Sequence, residues 1–160
     1  MDFYRLIAKN YDELYGEEQK IKHSLIKENL NIKNSDLLLD VGCGTGLFDF
    51  NCNAVGIDPS IELLQQSSNN QNNIIKIQAK AENIPFKSNV FDKVISVTSM
   101  HNFGDIKKGI KEIKRVGKKD FAFSILKKSN RYGFIEQIIK KNFNIKKIID
   151  GKNDWIFICE

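Results

Sequence analysis

The chain has 160 residues, 41% hydrophobic and 28% charged, which excludes a disordered or fibrous protein and suits one domain with a single core. The net charge of +5 is uneven, because residues 105–150 contain 14 Lys or Arg against 5 Asp or Glu, whereas residues 1–104 contain 10 against 13. No segment has the length of a membrane span and the start lacks a signal-peptide core, so we expect a cytoplasmic protein without membrane contact.

The first 33 residues predict a helical extension, with Gly16 dividing two helices. Their apolar residues recur at helical spacing, at positions 3, 6 and 7 and again at 21, 25, 26 and 30. From residue 34 the pattern changes to short apolar runs, and this change predicts a core of alternating strands and helices. We therefore expect one domain over residues 1–160, made of an extension at 1–33 and a core at 34–160.

Five apolar runs in the core predict strands, and four of them have hardly any polar interruption, as strands buried on both faces do. The predicted strands are 37–41, 54–57, 74–77, 93–97 and 121–126, and the predicted helices are 60–68, capped by Ser60, then 106–116 and 132–143. The last segments, NIKKIID and WIFICE, predict an antiparallel pair joined by the tight turn GKND. This order indicates an α/β fold with a doubly wound, mostly parallel seven-stranded sheet.

A glycine-rich loop, LLLDVGCGTGLF, follows the first predicted strand. Its spacing is G-x-G-x-G, whereas a dinucleotide loop is G-x-G-x-x-G and leads into a full helix that binds pyrophosphate. Here the next helix is at most a short segment, 47–51, and carries Asp49. Asp58, at the tip of the second strand, can accept hydrogen bonds from both ribose hydroxyls and would repel the 2′-phosphate of NADP. The loop suits an adenosyl ligand without phosphate.

Four segments in chain order, LLLDVGCGTG, AVGIDPS, AENIPF and FDKVISVTSMHNF, resemble the class I S-adenosylmethionine-dependent methyltransferases. The predicted order of strands and helices matches this family over nearly the whole chain. The resemblance implies a Rossmann-like methyltransferase fold, S-adenosylmethionine as cofactor and in-line methyl transfer to an acceptor that the sequence leaves open.

The resemblance assigns roles to individual residues of the cofactor site. Asp40 and the loop backbone surround the methionine end, Asp58 holds the ribose, and Pro59 lies against one adenine face. The loop residues are Gly42, Cys43, Gly44 and Gly46. In competing interpretations Asp40 only pins the loop and Pro59 only starts the next helix. Cys43 is interpreted as a small residue that fills the loop, because no activating partner for a nucleophilic thiol is identifiable.

On the adenine side, Ala81 and Glu82 present backbone groups to the ring edge, and Ile84 covers its second face. Lys80 stands where the family often has an acid. The short connection between Gly46 and Asp58 also departs from the family and predicts a thinner pocket wall.

The segment after the fourth strand lies beside the methyl group in the resembling family. His101 is the candidate general base there, although a capping or exposed histidine is as common at such a position. Ser99 and Asn102 are candidates for orienting the acceptor, and Phe103 is interpreted as a packing residue. In the extension, Tyr11 and Tyr15 lie in a segment that often folds over the cofactor as a lid in the family, and Tyr11 is assigned to the cofactor. The alternative is that both rings pack the extension against the sheet, which is favoured for Tyr15.

Three partner and function questions stay open at this point. The basic residues form either solvated helix faces, which a chain rich in Lys, Asn and Ile favours, or an RNA surface. The loop charges of Lys127, Lys128 and Arg131 suit a phosphate, a carboxylate or an RNA backbone, or only solvent. A chain without a substrate domain can use a second copy or a partner subunit for acceptor recognition.

The leading prediction is a methyltransferase, with a non-catalytic cofactor-binding regulatory or scaffold subunit as the alternative. An NAD-dependent oxidoreductase is the disfavoured third reading. The three cysteines lack the paired spacing of a zinc site, so we expect free thiols and no metal.

Overall fold

The computed structural model describes residues 11–46, 50–66 and 74–160, with only the backbone of residues 11–15. Seven strands form one sheet, and four helices and a 3₁₀ turn are described with them. The strands are β1 (Leu37–Val41), β2 (Asn53–Asp58), β3 (Ile74–Gln78), β4 (Phe91–Val97), β5 (Gly117–Leu126), β6 (Ile145–Gly151) and β7 (Asp154–Cys159). The helices are α1 (Tyr11–Leu30), α2 (Ile61–Leu64), α3 (Ile106–Val116) and α4 (Tyr132–Asn142), and the 3₁₀ turn is Met100–Asn102.

The strand order is β3-β2-β1-β4-β5-β7-β6. The first five strands pair in parallel, while β7 runs antiparallel to both β5 and β6. The predicted fold class is therefore confirmed, including the antiparallel pair at the end of the chain. The strand order reverses between β1 and β4, and ligands of doubly wound sheets bind at the carboxyl ends of the strands that flank such a point.

Helices cover both faces of this sheet, as the buried apolar strands require. On one face, Ile26 and Leu30 of α1 pack against Leu38, Ile95 and Ile156. On the other face, α3 and α4 pack against β4 and β5 through a larger cluster that includes the rings of Phe121, Phe123 and Phe143. Within the described ranges, no helix combines the length and apolar content that a bilayer crossing requires.

Two local predictions are wrong. Helix α1 continues through Gly16, which is buried, because a single glycine costs a helix only about 1 kcal/mol and does not end it. Helix α2 ends at Leu64 and does not reach residue 68, although Ser60 caps it as predicted by accepting a hydrogen bond from the Leu63 amide. The residues that follow are Gln, Ser and Asn, most of which favour turns over helix. The apolar positions 3, 6 and 7 lie outside the described residues.

Candidate functional site

The glycine-rich loop begins where β1 ends, at the reversal of strand order. Gly42, Gly44 and Gly46 have φ values of +81°, +56° and +80°, in the left-handed region that side chains with a Cβ rarely adopt. A Cβ on Gly42 would also lie 2.4 Å from the Cβ of Ser99, which follows β4. The loop therefore needs glycine at position 42 for both its backbone angle and its close contact with the β4 side.

Most of the loop's backbone N–H groups are used inside the protein. The amides of Gly42 and Cys43 both donate to the carbonyl of Ile57, at 2.8 and 3.0 Å. The Gly44 amide donates to Asp58, and the Gly46 amide to the Cys43 carbonyl. A pyrophosphate site needs such groups pointing at the ligand, so these four amides do not provide one. Asp49 of the predicted short helix 47–51 lies outside the described residues, and neither Phe50 nor Asn51 is helical.

Asp58 ends β2 and faces the same loop. One carboxylate oxygen accepts the Gly44 amide at 3.0 Å and the other accepts the Ser60 amide at 2.9 Å. Burial raises the pKa of Asp58, and these two N–H donors oppose that rise. A carboxylate has about four acceptor positions, so each oxygen keeps capacity for one more donor.

Asp40 is the second carboxylate at the loop. It is buried, and burial together with the nearby charge of Asp58 raises its pKa to about 7. Its Oδ1 has no hydrogen-bond partner among the residues that the structure describes. The interpretation that Asp40 pins the loop through backbone amides is therefore not supported for this oxygen. Asp40 lines a pocket with residues of the loop, of β4 and of α1; the other lining residues are Gln19, His23, Gly42, Cys43, Thr45 and Val97.

His101 lies in the 3₁₀ turn after β4, on the other side of Ser99. Its Nδ1 is buried and has no hydrogen-bond partner within the described part of the chain. Burial is the main cause that lowers the pKa of His101, with Arg131 and Lys22 adding to this and Asp154 opposing it. The imidazole is therefore neutral at pH 7 and can accept a proton.

The carbonyls of this turn are held from the neighbouring loop. The Arg131 guanidinium donates to the carbonyls of His101 and Phe103, at 3.1 and 3.0 Å. The hydroxyl of Ser99 donates to the Val41 carbonyl and contacts Ser96. Ser99 thus ties the turn to the end of β1.

The methyltransferase domain family matches residues 39–125, which is more than half of the chain and includes the loop, both carboxylates and His101. The chain belongs to the class I S-adenosylmethionine-dependent methyltransferases. This membership confirms the predicted family, and the family implies S-adenosylmethionine as the cofactor.

Comparisons with individual proteins agree with this assignment. The chain is 35% identical to the uncharacterized protein MJ1252 of Methanocaldococcus jannaschii over 94% of its own length and 66% of that protein. It is 28% identical to a demethylmenaquinone methyltransferase of Staphylococcus carnosus over 71% of its length and 53% of that enzyme. It thus spans about half to two thirds of these curated relatives.

A similar fold occurs in a chain of the complex between the Haloferax volcanii Trm112 methyltransferase activator and a methyltransferase. The TM-score is 0.81 at 13% identity, over 99% of this chain and 95% of that one. At this identity the likeness concerns the fold.

The residues of this methyltransferase fit a phosphate-free, positively charged cofactor. The unpaired oxygen of Asp40 is an acceptor for an ammonium group, and Asp58 keeps acceptor positions for hydroxyls. Cys43 packs against β2, since a Cβ on Gly56 would lie 2.7 Å from its Sγ. Burial raises the pKa of the Cys43 thiol, which supports its interpretation as a residue that fills space.

On the adenine side, the predicted residues differ in exposure. Pro59 and Lys80 are exposed, whereas Ala81 and Ile84 are buried. The interpretation that Pro59 starts the helix is wrong, because Ser60 is the cap and Pro59 precedes it. The carboxylate of Glu82 accepts the Asp105 amide at 3.0 Å and holds the segment that leads into α3.

The predicted acceptor residues are partly used within the protein. Lys127 pairs with Asp150 and lies over the Trp155 ring at 4.4 Å, so of the three loop cations only Lys128 has no described partner. Phe103 is buried and packs on Gly109, as its interpretation as a packing residue requires. The side chains of Tyr11 and Tyr15 lie outside the described part of the structure.

Helix α1 contributes site residues that the sequence analysis missed. Gln19 and His23 line the Asp40 pocket, and Lys22 between them is buried. A signal was present, because these three polar residues continue the helical stripe of Ile26 and Leu30 toward the N-terminus. Polar side chains on the buried stripe of a helix indicate a polar cluster or a ligand beneath it.

Proposed function

We propose that this domain transfers a methyl group from S-adenosylmethionine to a nucleophilic atom of an acceptor, by in-line displacement. The observation that carries the proposal is the contrast within the glycine loop. Four of its amides are satisfied inside the protein, while the two buried carboxylates beside it keep free acceptor positions. Such a site favours an ammonium and hydroxyls over a phosphate.

Different residues bind different parts of the cofactor. Asp58 accepts the ribose hydroxyls with the lone pairs left over from the Gly44 and Ser60 amides. Asp40 accepts the ammonium of the methionine end, and that positive charge stabilises its ionised form. The cofactor supplies the activated methyl group when bound. The protein then contributes alignment, worth on the order of 7 to 11 kcal/mol when fully realised.

His101 is the proposed general base for an acceptor that arrives protonated. Its lowered pKa keeps the imidazole neutral at pH 7, and its buried Nδ1 has no described partner that would compete for a proton. Arg131 fixes the turn that carries it through two carbonyls. A rate that depends on this base falls when the pH drops below the lowered pKa of His101.

Cofactor binding is tested first, by calorimetric titration with S-adenosylhomocysteine and with NAD. We expect binding of the first and none of the second; the reverse result contradicts the proposal. Methyl transfer is then measured with labelled S-adenosylmethionine and cell extract divided into RNA, protein and small-molecule fractions. Binding without transfer to any fraction would favour the regulatory or scaffold subunit.

The catalytic role is tested with His101→Ala. We expect turnover to fall by about two orders of magnitude, the usual contribution of a general base, with unchanged affinity for S-adenosylhomocysteine. Lys111→Ala, an exposed change on α3, is the matched control. An unaffected rate in His101→Ala would assign this histidine to structure.

Acceptor recognition by a partner subunit also belongs to the proposal. A protein of similar fold is found in complex with the Trm112 methyltransferase activator. We infer that an activator subunit of this kind, or a second copy, completes the acceptor site. Helix α1, as part of the extension over residues 1–33, acts as the cover of the cofactor pocket.

A further inference from the structure

A buried polar cluster lies beneath α1, at the carboxyl ends of β4 and β5. Its centre is an ion pair between Lys22 of α1 and Asp154, the first residue of β7, with Nζ and Oδ1 2.9 Å apart. The two side chains are 1% and 0% exposed. Lys22 also donates to the Thr98 hydroxyl at 2.8 Å and pairs with Glu18 of its own helix at 2.8 Å.

The second oxygen of Asp154 completes the cluster. It accepts the Thr98 hydroxyl at 2.8 Å and the Ser124 hydroxyl at 3.0 Å. Thr98 has a φ of +51°, which a β-branched residue rarely adopts. Such a conformation persists only where its surroundings fix it, and here Ser124 also accepts the Thr98 amide at 2.9 Å.

Stability alone does not explain this arrangement. Removing two charges from water costs several kcal/mol per ion, and an apolar pair of similar volume often stabilises a fold as well or better. A buried ion pair does, however, allow only a few relative positions of the two elements that carry it. The elements here are α1 and the β6–β7 hairpin, together with the end of β4.

The positions of these residues connect the cluster to both halves of the site. On α1, Lys22 lies between Gln19 and His23, which line the pocket of Asp40. At the end of β4, Thr98 precedes Ser99, which contacts the glycine loop, and begins the segment that carries His101. One cluster thus holds the cover of the cofactor pocket and the start of the acceptor-side turn.

We propose that Lys22 and Asp154 are positioning residues, which through Thr98 hold α1 against the cofactor pocket and the His101 turn beside it. The inference rests on the proposed function for the identity of the ligand. Without the Lys22–Asp154 ion pair, α1 and the His101 turn sample other positions. A smaller fraction of the molecules then has the conformation that binds the cofactor. The apparent affinity for the cofactor falls by the same factor.

The test compares Lys22→Met with Lys20→Met on the same helix. Lys20 is exposed and, among the described residues, pairs with Glu17 alone, so its change removes an ion pair of α1 outside the cluster. For Lys22→Met we expect the Kd of S-adenosylhomocysteine to rise by about tenfold or more, and for Lys20→Met by less than about twofold. Lys22→Arg, which keeps the charge, should restore part of the affinity.

Folding of each variant is checked by circular dichroism. If the lone carboxylate in Lys22→Met prevents folding, the double variant Lys22→Met/Asp154→Asn removes both charges and is measured in its place. A folded Lys22→Met or double variant with the affinity of the wild type would overturn the inference, as would an equal loss in Lys20→Met.

Hydrogen exchange separates this inference from the proposed function. We expect faster amide exchange in residues 16–26 and 99–103 of Lys22→Met, and no such change in Lys20→Met. If the wild-type protein binds no S-adenosylhomocysteine, the proposed function fails, and exchange then decides on the cluster by itself. Unchanged exchange in both segments would overturn the positioning role.

Discussion

The two halves of the proposed site are built by different means. The cofactor half is set by the loop backbone, with glycines at positive φ and amides that donate to Ile57 and Asp58, and by two carboxylates at the carboxyl ends of adjacent parallel strands. The proposed acceptor half depends on side chains from distant parts of the chain: Arg131 binds carbonyls of the His101 turn, and the Lys22–Asp154 pair contacts Thr98, the strained residue that precedes this turn. A substitution at a loop glycine changes the backbone conformation of the whole cofactor half. A substitution at one supporting side chain of the acceptor half removes only the contacts of that side chain.

The largest effect is expected from Gly42→Ala. The new Cβ would meet Ser99 at 2.4 Å in a backbone conformation that alanine disfavours. The free energy of unfolding should fall by about 2 to 5 kcal/mol, and S-adenosylhomocysteine should bind at least about tenfold more weakly. Urea denaturation and calorimetry measure these values.

Gly133→Ala is the matched control, because a Cβ there would have no atom within 4 Å. Since it lies in α4, alanine should be neutral or stabilise by up to about 1 kcal/mol. Equal effects of the two changes would remove the distinction between the loop glycine and an ordinary one.

The mutual position of the glycine loop and Asp58 could be predicted from the sequence, because these residues follow or end adjacent strands, whereas Gln19 and His23 of the same pocket were not predicted. The loop from Gly42 to Gly46 follows directly on β1, and Asp58 ends the next strand. The parallel order of the sheet then brings them together without further information. The strand positions followed in the same way from apolar runs.

The sequence named His101, Ser99 and Arg131 as acceptor-side candidates, but the contacts that hold their segment could not be predicted, because they join distant positions. Lys22 and Thr98 are 76 residues apart, and Thr98 and Asp154 are 56 apart. No local pattern pairs a lysine of an N-terminal helix with an aspartate in a hairpin. The orphaned Nδ1 of His101 likewise depends on what packs around it.

The raised pKa of Asp40 predicts that the stability of the folded protein depends on pH, which an exposed acid with an ordinary pKa would not cause. Its pKa is about 7 in the folded protein and 3.8 when unperturbed, so between these values the folded state keeps a proton that the unfolded state has lost. The stability that Asp40 contributes is therefore complete below about pH 4 and is lost as the pH rises to about 7.

Asp40→Asn removes the titration of this carboxyl group. The variant should gain stability over the wild type as the pH rises from 4 to 7, by at most about 4 kcal/mol. Urea denaturation at pH 5, 6, 7 and 8 measures the difference. A difference that does not change with pH would show that Asp40 is ionised in the folded protein throughout this range.

Asp58→Ala should weaken binding of S-adenosylhomocysteine by more than about tenfold, because two ribose hydroxyls lose their acceptor. It also leaves the Gly44 and Ser60 amides without acceptors, so stability should fall as well. Asp105→Ala is the control, since that carboxylate caps α3 by accepting the Lys108 amide. It should cost about 1 kcal/mol of stability and leave the Kd unchanged. An unchanged Kd in Asp58→Ala would refute its role at the ribose.

The smallest effect is expected from Arg131→Gln, which tests whether the two halves of the proposed site act separately. The change weakens the support of the His101 and Phe103 carbonyls but touches nothing in the glycine loop. We expect kcat/KM for the acceptor to fall by about threefold to tenfold, since misplaced groups lose alignment, while the Kd of S-adenosylhomocysteine stays the same. Lys128→Gln, in the same loop and exposed, should change neither value. If Arg131→Gln weakened cofactor binding as much as turnover, the His101 turn would belong to the cofactor site, and the division between a backbone half and a side-chain half would fail there.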